Sequence, residues 1–253
     1  MNLSERIDIV VLNCYNDGYI QPCIESIGKN TTGYNLIVVE QDSKDGTREW
    51  LRDCPYVSHL ILNKKNMGVA GGRNQGIRVG RHEWIAFIDS DIVIKDSNWL
   101  DKVWNFTIDR RVGLIECAVD IDGGKHFGKL SFCLLRRQCL NEVGYFDARF
   151  IIGEDDEWLT RFEDTEWKVM YCSDTDIKHH GGRTVCVKLA SAAALLVCEA
   201  EKMLCEKYTA NFRLRTLLAN KLRRVEKEVE HFKRCSPMVS VEDLMRVEVC
   251  HGG

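Results

Sequence analysis

The sequence predicts an α/β protein, a mainly parallel sheet flanked by helices, with a helical extension at its C-terminal end. Three observations carry that reading. Runs apolar on both faces recur at "IDIVVLN" from Ile7, "LIVVEQ" from Leu36, "HLILN" from His59 and "EWIAFIDS" from Glu83, as strands covered on both sides require. Segments of helical spacing, "DGYIQPCIESIGKN", "TREWLRDC" and "GGRNQGIRVGR", stand between them, so the order is strand, helix, strand with right-handed crossovers. From Val187 to about Cys235 the chain is rich in Ala, Leu, Glu, Lys and Arg and holds neither Pro nor Gly, which predicts one long helix or two.

After the fourth strand the pattern changes. "SNWLDKVWNFTIDRR" reads as a helix with Ser97 as its cap, "VGLIEC" and "KLSFCLL" as short strands, and "GEDDEWLTRFED" as a helix. This half is mixed rather than doubly wound. The predicted organisation is a domain over residues 1–184 and a helical extension over 185–253, with no internal repeat or low-complexity tract.

Composition narrows the function classes. The 253 residues are 45% hydrophobic, with a formal charge of -3, so no global basic field attracts nucleic acid, and an anionic ligand needs a local cation or a metal. The 12 cysteines contain no CxxC pair or zinc-knuckle spacing, and read as reduced core residues. "MNLSERIDIVV" lacks the basic and long apolar regions of a signal peptide, and no apolar run approaches the ~20 residues of a membrane span. The expected setting is cytoplasmic.

Five constellations can carry chemistry. In "FIDSD", Asp89 and Asp91 follow an apolar strand at its carboxyl end, where open α/β sheets place ligands. In an extended chain they project to one side with Ser90 facing away, and two such carboxylates repel unless a divalent cation such as Mg2+ or Mn2+ joins them. The alternative is a solvated acidic turn. "NKKNMGVAGGRNQGI" is a Gly-rich entry to a helix, whose glycines permit close backbone approach and whose N-terminus can meet a phosphate; it fits neither GxGxxG nor the P-loop. Arg73 within it supplies a fixed cation or covers its helix. "EQDSKDGT" puts Glu40 at a strand end, able to accept bonds from a ribose or base, with Asp45-Gly46 as the turn and Thr47 as the next cap. In "GEDDEWLTRF", Asp155 shares a partly apolar helix side with Leu159, which would raise its pKa toward that of a useful base; acids in a first turn also simply favour the helix dipole. "DIKHHGGRT" offers His179 to a metal.

The ordered set "IVVLNCYND", "VVEQDSKDGT", "NMGVAGGRNQGI", "FIDSD", "VGYFDARFIIGEDDEWLTR" and "IKHHGG" resembles the family 2 inverting glycosyltransferases, over about Ile7 to Thr184. The resemblance implies the Rossmann-like GT-A fold and a metal-dependent transfer of a hexosyl or deoxyhexosyl group from a nucleoside-diphosphate sugar to an acceptor hydroxyl. It implies that Asp89, Asp91 and His179 hold Mn2+ or Mg2+, with Asp91 the direct ligand and Asp89 reaching the ribose or the metal. It further implies that Asn13, Cys14, Glu40, Gly68, Arg73, Asp89 and Ser90 line the nucleotide-sugar site, and that Asp155 is the general base. "NCYN" departs from the more usual Thr-Tyr-Asn, and Glu40 stands where Asp is more frequent. "DDEWLTR" is most similar to members that transfer rhamnose, which would imply a dTDP-linked donor.

Other readings fit less well. A nucleotidyltransferase would carry a Gly- and Arg-rich loop after the first strand, and a dehydrogenase would carry GxGxxG there. A catalytically degenerate nucleotide-sugar-binding or interaction module would keep the fold; Asp89, Asp91 and Asp155 together favour the enzyme. Acceptors of the family class are saccharides, lipid-linked sugars or proteins. The C-terminal helices, apolar at positions such as Leu195, Leu204 and Phe212, pack on their own domain, form a homodimer, or make peripheral contact with an anionic membrane, the first two being preferred.

Overall fold

The structure, a computed structural model, describes residues 7–14, 18–150, 153–180, 203 and 207. The expected domain boundary at 184 and the helices of the extension, apart from Met203 and Lys207, lie outside the described residues.

The first half alternates as the apolar runs require: β1 (Ile7–Asn13), α1 (Ile20–Asn30), β2 (Asn35–Glu40), α2 (Thr47–Arg52), β3 (His59–Leu62), α3 (Gly68–Val79) and β4 (Trp84–Asp89). These four strands run parallel in the order β3-β2-β1-β4. The chain lays β2 and β3 on one side of β1 and then crosses to lay β4 on the other, which opens a crevice at the carboxyl ends.

The second half consists of β5 (Ile92–Ile94), α4 (Trp99–Trp104), β6 (Val112–Ile121), β7 (Gly124–Phe127), β8 (Phe132–Arg136), α5 (Arg137–Val143), α6 (Glu154–Glu163), β9 (Lys168–Cys172) and β10 (Ile177–His179). The sheet continues β4-β8-β6-β10-β5, with β7 and β9 also paired to β6. Strand β8 is antiparallel to both β4 and β6, so the sheet is parallel on one side and mixed on the other.

Alternation along the strands builds two apolar layers. Ile9, Val11, Leu36, Val38, Ala86 and Ile88 face Ile24 and Ile27 of α1. Val10, Ile37, Ile85, Phe87, Leu114 and Cys133 face Ala70 and Ile77 of α3, Leu140 of α5 and Trp158 of α6. Each large side chain removed from water in these layers stabilises the fold by about 1.5–3 kcal/mol. Cys23, Cys54, Cys117, Cys133, Cys139 and Cys172 are buried free thiols, in keeping with the reduced-core reading.

Two caps differ from the expected ones. Helix α4 starts at Trp99 and passes into a 3-10 turn over Asn105–Ile108; Asp96, not Ser97, takes the N–H of Asn98 at 2.9 Å. At α2 the side chain of Asp45 accepts from Thr47 N–H at 3.1 Å, with Gly46 at φ +85°. A carboxylate two residues back reaches the free amide better than either hydroxyl. Among the described residues no helix is long and apolar enough to cross a membrane.

Candidate active site

Parallel register brings the first three elements of the site into one row. Asn13 lies opposite Glu40, and Leu12 opposite Asp89. Glu40 is wholly buried. Its carboxylate accepts from Asn13 Nδ2 (2.7 Å), Ser43 N–H (2.6 Å) and Ser43 Oγ (2.8 Å). Glu40 therefore ties the loop after β2 to the end of β1 rather than facing outward, and the free acceptor here belongs to Asn13: its Oδ1 is buried without a partner among the described residues. A buried acceptor left open is costly, and a ligand N–H or O–H would satisfy it. Cys14 beside it touches Gln41 O and Asn66 Nδ2 through Sγ, at 3.7 and 3.4 Å.

Glycines of this segment serve packing, and two of its N–H donors are already bonded. Gln41 Oε1 takes the N–H of Met67 (2.9 Å) and Asn66 Oδ1 that of Gly68 (2.8 Å), so these donors at the start of α3 are already used. Gly72 lies against Leu12 and Gln41, and a Cβ at Gly76 would fall 2.4 Å from Val10 Cγ1. The glycines let α3 sit directly on β1.

The acidic pair behaves differently from a solvated turn. Ser90 and Asp91 form a turn between β4 and β5, so Asp89 and Asp91 converge by a reversal of the chain, not by the extended alternation expected. Strand β10 pairs antiparallel with β5 and places His179 opposite Ile92, beside that turn; His180 N–H donates to Asp91 O at 3.0 Å. His179 Nε2 lies 3.1 Å from Asp91 Oδ1, and ligand atoms of Asp89, Asp91 and His179 all lie within 4.8 Å of one another. The Asp91 and His179 side chains are 9% and 11% exposed, that of Asp89 43%. Withdrawal from water pushes the Asp89 carboxyl up, Arg73 draws it back, and Asp91 pushes it up again. Burial lowers the His179 imidazole, but its bond to Asp91 prevails and raises it. His179 Nδ1 is buried without a partner among the described residues. Two carboxylates and an imidazole around one point, with a buried orphan nitrogen, suit Mn2+ or Mg2+.

Arg73 does not reach outward either. It is buried, with its guanidinium 5.1 Å over the Phe87 ring and 5.5 Å over Phe146. From there it donates to Leu130 O (3.2 Å), Glu154 (3.0 Å) and Asp155, and lies 3.9 Å from Asp89. Its charge is strongly held by these acids. One guanidinium cannot neutralise both acids of α6, and burial together with Asp155 pushes Glu154 well above the ordinary carboxylate range. Glu154 therefore keeps a proton more readily than an ordinary carboxyl. Asn74 closes the same corner, with Nδ2 donating to Phe146 O (2.8 Å) and Oδ1 accepting its N–H (3.1 Å).

Thus Asp89, Asp91, His179, Arg73 and Asp155 meet at one end of the sheet, with Asn13, Cys14, Glu40 and Gly68 alongside. A family model described as Glycosyl transferase family 2 matches residues 9–151, more than half of the chain. The chain belongs to that family. The chain is 23% identical over 195 residues to glycosyltransferase AglE of Haloferax volcanii, covering 65% of this chain and 64% of the relative. It is 22% identical over 204 residues to the O-antigen chain rhamnosyltransferase RfbN of Salmonella typhimurium, covering 67% and 65%. The chain spans less than two thirds of these relatives, and only 18% of glycosyltransferase GlyA of Streptococcus pneumoniae. Its fold is GT-A: it superposes on S. aureus TarS 1-349 with a TM-score of 0.64 at 14% identity, covering 94% of this chain and 77% of that one. The same scores and coverage, at 15% identity, relate it to the mannosyltransferase PcManGT of Pyrobaculum calidifontis, solved with GDP-Man and Mn2+.

Sequence reasoning missed Glu154 as a member of the Arg73 cluster, and Gln41, Asn66 and Asn74 as the bonds that hold its loops. Glu154 was legible as half of the "ED" pair. The amides carried no signal, since their role depends on contacts far along the chain.

Proposed function

We propose that this glycosyltransferase moves a sugar from a nucleoside diphosphate to an acceptor hydroxyl with inversion, using a divalent cation held by Asp89, Asp91 and His179 and Asp155 as the general base. The convergence of the three ligating side chains at the carboxyl edge of β4 carries this reading. The neighbours solved with UDP-GlcNAc and with GDP-Man and Mn2+ support it by likeness of fold.

A bound cation would offset the charge that develops on the departing diphosphate. Asn13 Oδ1 and Cys14 would face the nucleoside, while Glu40 positions Asn13 and Ser90 lies against the sugar nucleotide. Gly68, at φ +71° where α3 begins, would contribute its backbone beside the sugar nucleotide. Asp155 takes the proton of the acceptor hydroxyl as its oxygen attacks the anomeric carbon from the face opposite the diphosphate. Arg73 positions Asp155 and links it to Asp89, so that base and metal site move as one. The extension is assigned to packing on its own domain or dimerisation: Lys207 Nζ lies 2.9 Å from Asp147 and 2.7 Å from Glu157 of α6. Liposome flotation with and without residues 185–253 checks this, and retention by anionic vesicles only with the extension would overturn it.

The test is nucleoside diphosphate release from UDP-, GDP- and dTDP-sugars with Mn2+. Release from one donor class, abolished in Asp91→Ala, is expected; no release from any donor would contradict the proposal.

A further inference from the structure

One buried acid on the same face has no place in this scheme. Glu116 interrupts the apolar strand β6, in "VGLIECAV", and is only 7% exposed. Among the described residues no side chain hydrogen-bonds or ion-pairs with its carboxylate. A buried, unpartnered acid destabilises a fold that Val or Ile would suit better.

Register fixes where it points. Glu116 lies opposite Cys133 of β8, and Cys133 opposite Phe87 of β4. These three side chains stand in one row on the sheet face that α3, α5 and α6 cover, and Phe87 is the ring beneath the Arg73 guanidinium. Glu116 thus extends the floor of the Arg73 cluster from β4 across β8 to β6. The charges that reach it are those of Asp155, which repels, and Lys129, which attracts. Lys129 is itself held at the rim by Asp156, at 2.5 Å.

That position selects the ligand. A carboxylate there disfavours the diphosphate. The charged groups that act on it are Asp155 and Lys129, and the proposed metal ligands are not among them. A neutral hydroxyl remains, and a carboxyl group can accept or donate a hydrogen bond to one.

We propose that Glu116 is an acceptor-binding residue, forming a hydrogen bond with a hydroxyl of a saccharide acceptor next to the hydroxyl that faces Asp155. The inference rests on the reading of Asp155 as the acceptor-side base. Burial supports it, since it pushes the Glu116 carboxyl up to about 7, where both hydrogen-bonding forms are accessible.

The test uses the full chain with Mn2+, the donor whose nucleoside diphosphate binds, and p-nitrophenyl glycosides of glucose, galactose, mannose, rhamnose and N-acetylglucosamine as acceptors. Glu116→Gln keeps the shape of the side chain, and Glu116→Ala removes it. Both should raise the acceptor KM by about tenfold or more, the size of a hydrogen bond to a charged group. The donor KM and the affinity for the nucleoside diphosphate with Mn2+ should not move with it. Acceptor KM unchanged in both variants, donor and acceptor KM rising together, or a wild-type enzyme that cleaves donor but transfers to none of the glycosides would overturn the proposal. Failure of the wild type to bind any nucleotide with Mn2+ would instead mark failure of the functional reading beneath it.

Discussion

Asp155→Asn separates catalysis from folding. In the wild type, Arg73 is shared by Glu154 at 3.0 Å and Asp155, with Asp89 at 3.9 Å, and Glu154 is the acid driven toward its protonated form. Removing the charge of Asp155 also removes its repulsion of Glu154. Glu154 can then ionise and take over Arg73, so the stability lost should be about 1 kcal/mol or less, the net value of one hydrogen bond. Turnover should fall by about 100- to 10,000-fold, as for a positioned base. Glu154→Gln with Asp155→Asn leaves the buried guanidinium without either acid of α6 and should cost about 3–5 kcal/mol. Single-turnover product formation and urea unfolding measure the two quantities on the same samples. Near wild-type turnover in Asp155→Asn would refute its role as base; a single variant as unstable as the double would refute the sharing of Arg73.

Arg73→Met should destabilise the fold by about 3–5 kcal/mol at neutral pH, and less at acid pH, where Glu154 takes up its proton; urea titrations at two pH values compare them. Gly76→Ala should cost about 1–3 kcal/mol by overpacking, because its Cβ would meet Val10 Cγ1 at 2.4 Å, and thermal unfolding reads this. Glu116 makes stability fall as pH rises. Its folded carboxyl, at about 7 against an ordinary 4.5, binds protons that the unfolded chain releases in that window. Glu116→Gln should therefore gain on the wild type across it, by on the order of 1–3 kcal/mol above pH 7. The transferred sugar should carry the anomeric configuration opposite to that in the donor, as proton NMR of the product reports.

The strands were legible because their apolar runs were long and bounded by turn residues, and the order of motifs singled out Asp89, Asp91 and His179, which the fold brings together, and Asp155, which it places on Arg73. What the residues alone did not convey was orientation. Arg73 reads as a cation available to a diphosphate, yet two aromatic rings and two acids hold it under the site. Glu40 reads as an outward acid, yet Asn13 and Ser43 fill it. Both depend on distant partners, Asn13 27 residues from Glu40 and Asp155 82 residues from Arg73, which no local spacing encodes. Glu116 did carry a signal, a lone acid in an apolar strand, of the same kind that singled out Asp89 and Asp91.

The central claim is that the carboxyl edge of β4 binds a nucleoside diphosphate through a divalent cation. Thermal-shift titration of the wild type and Asp91→Ala with UDP, GDP and dTDP, each with and without Mn2+, tests it most directly. Stabilisation by one nucleotide that requires Mn2+ and is lost in Asp91→Ala is expected. Stabilisation by none, or stabilisation that ignores both the cation and Asp91, would contradict it.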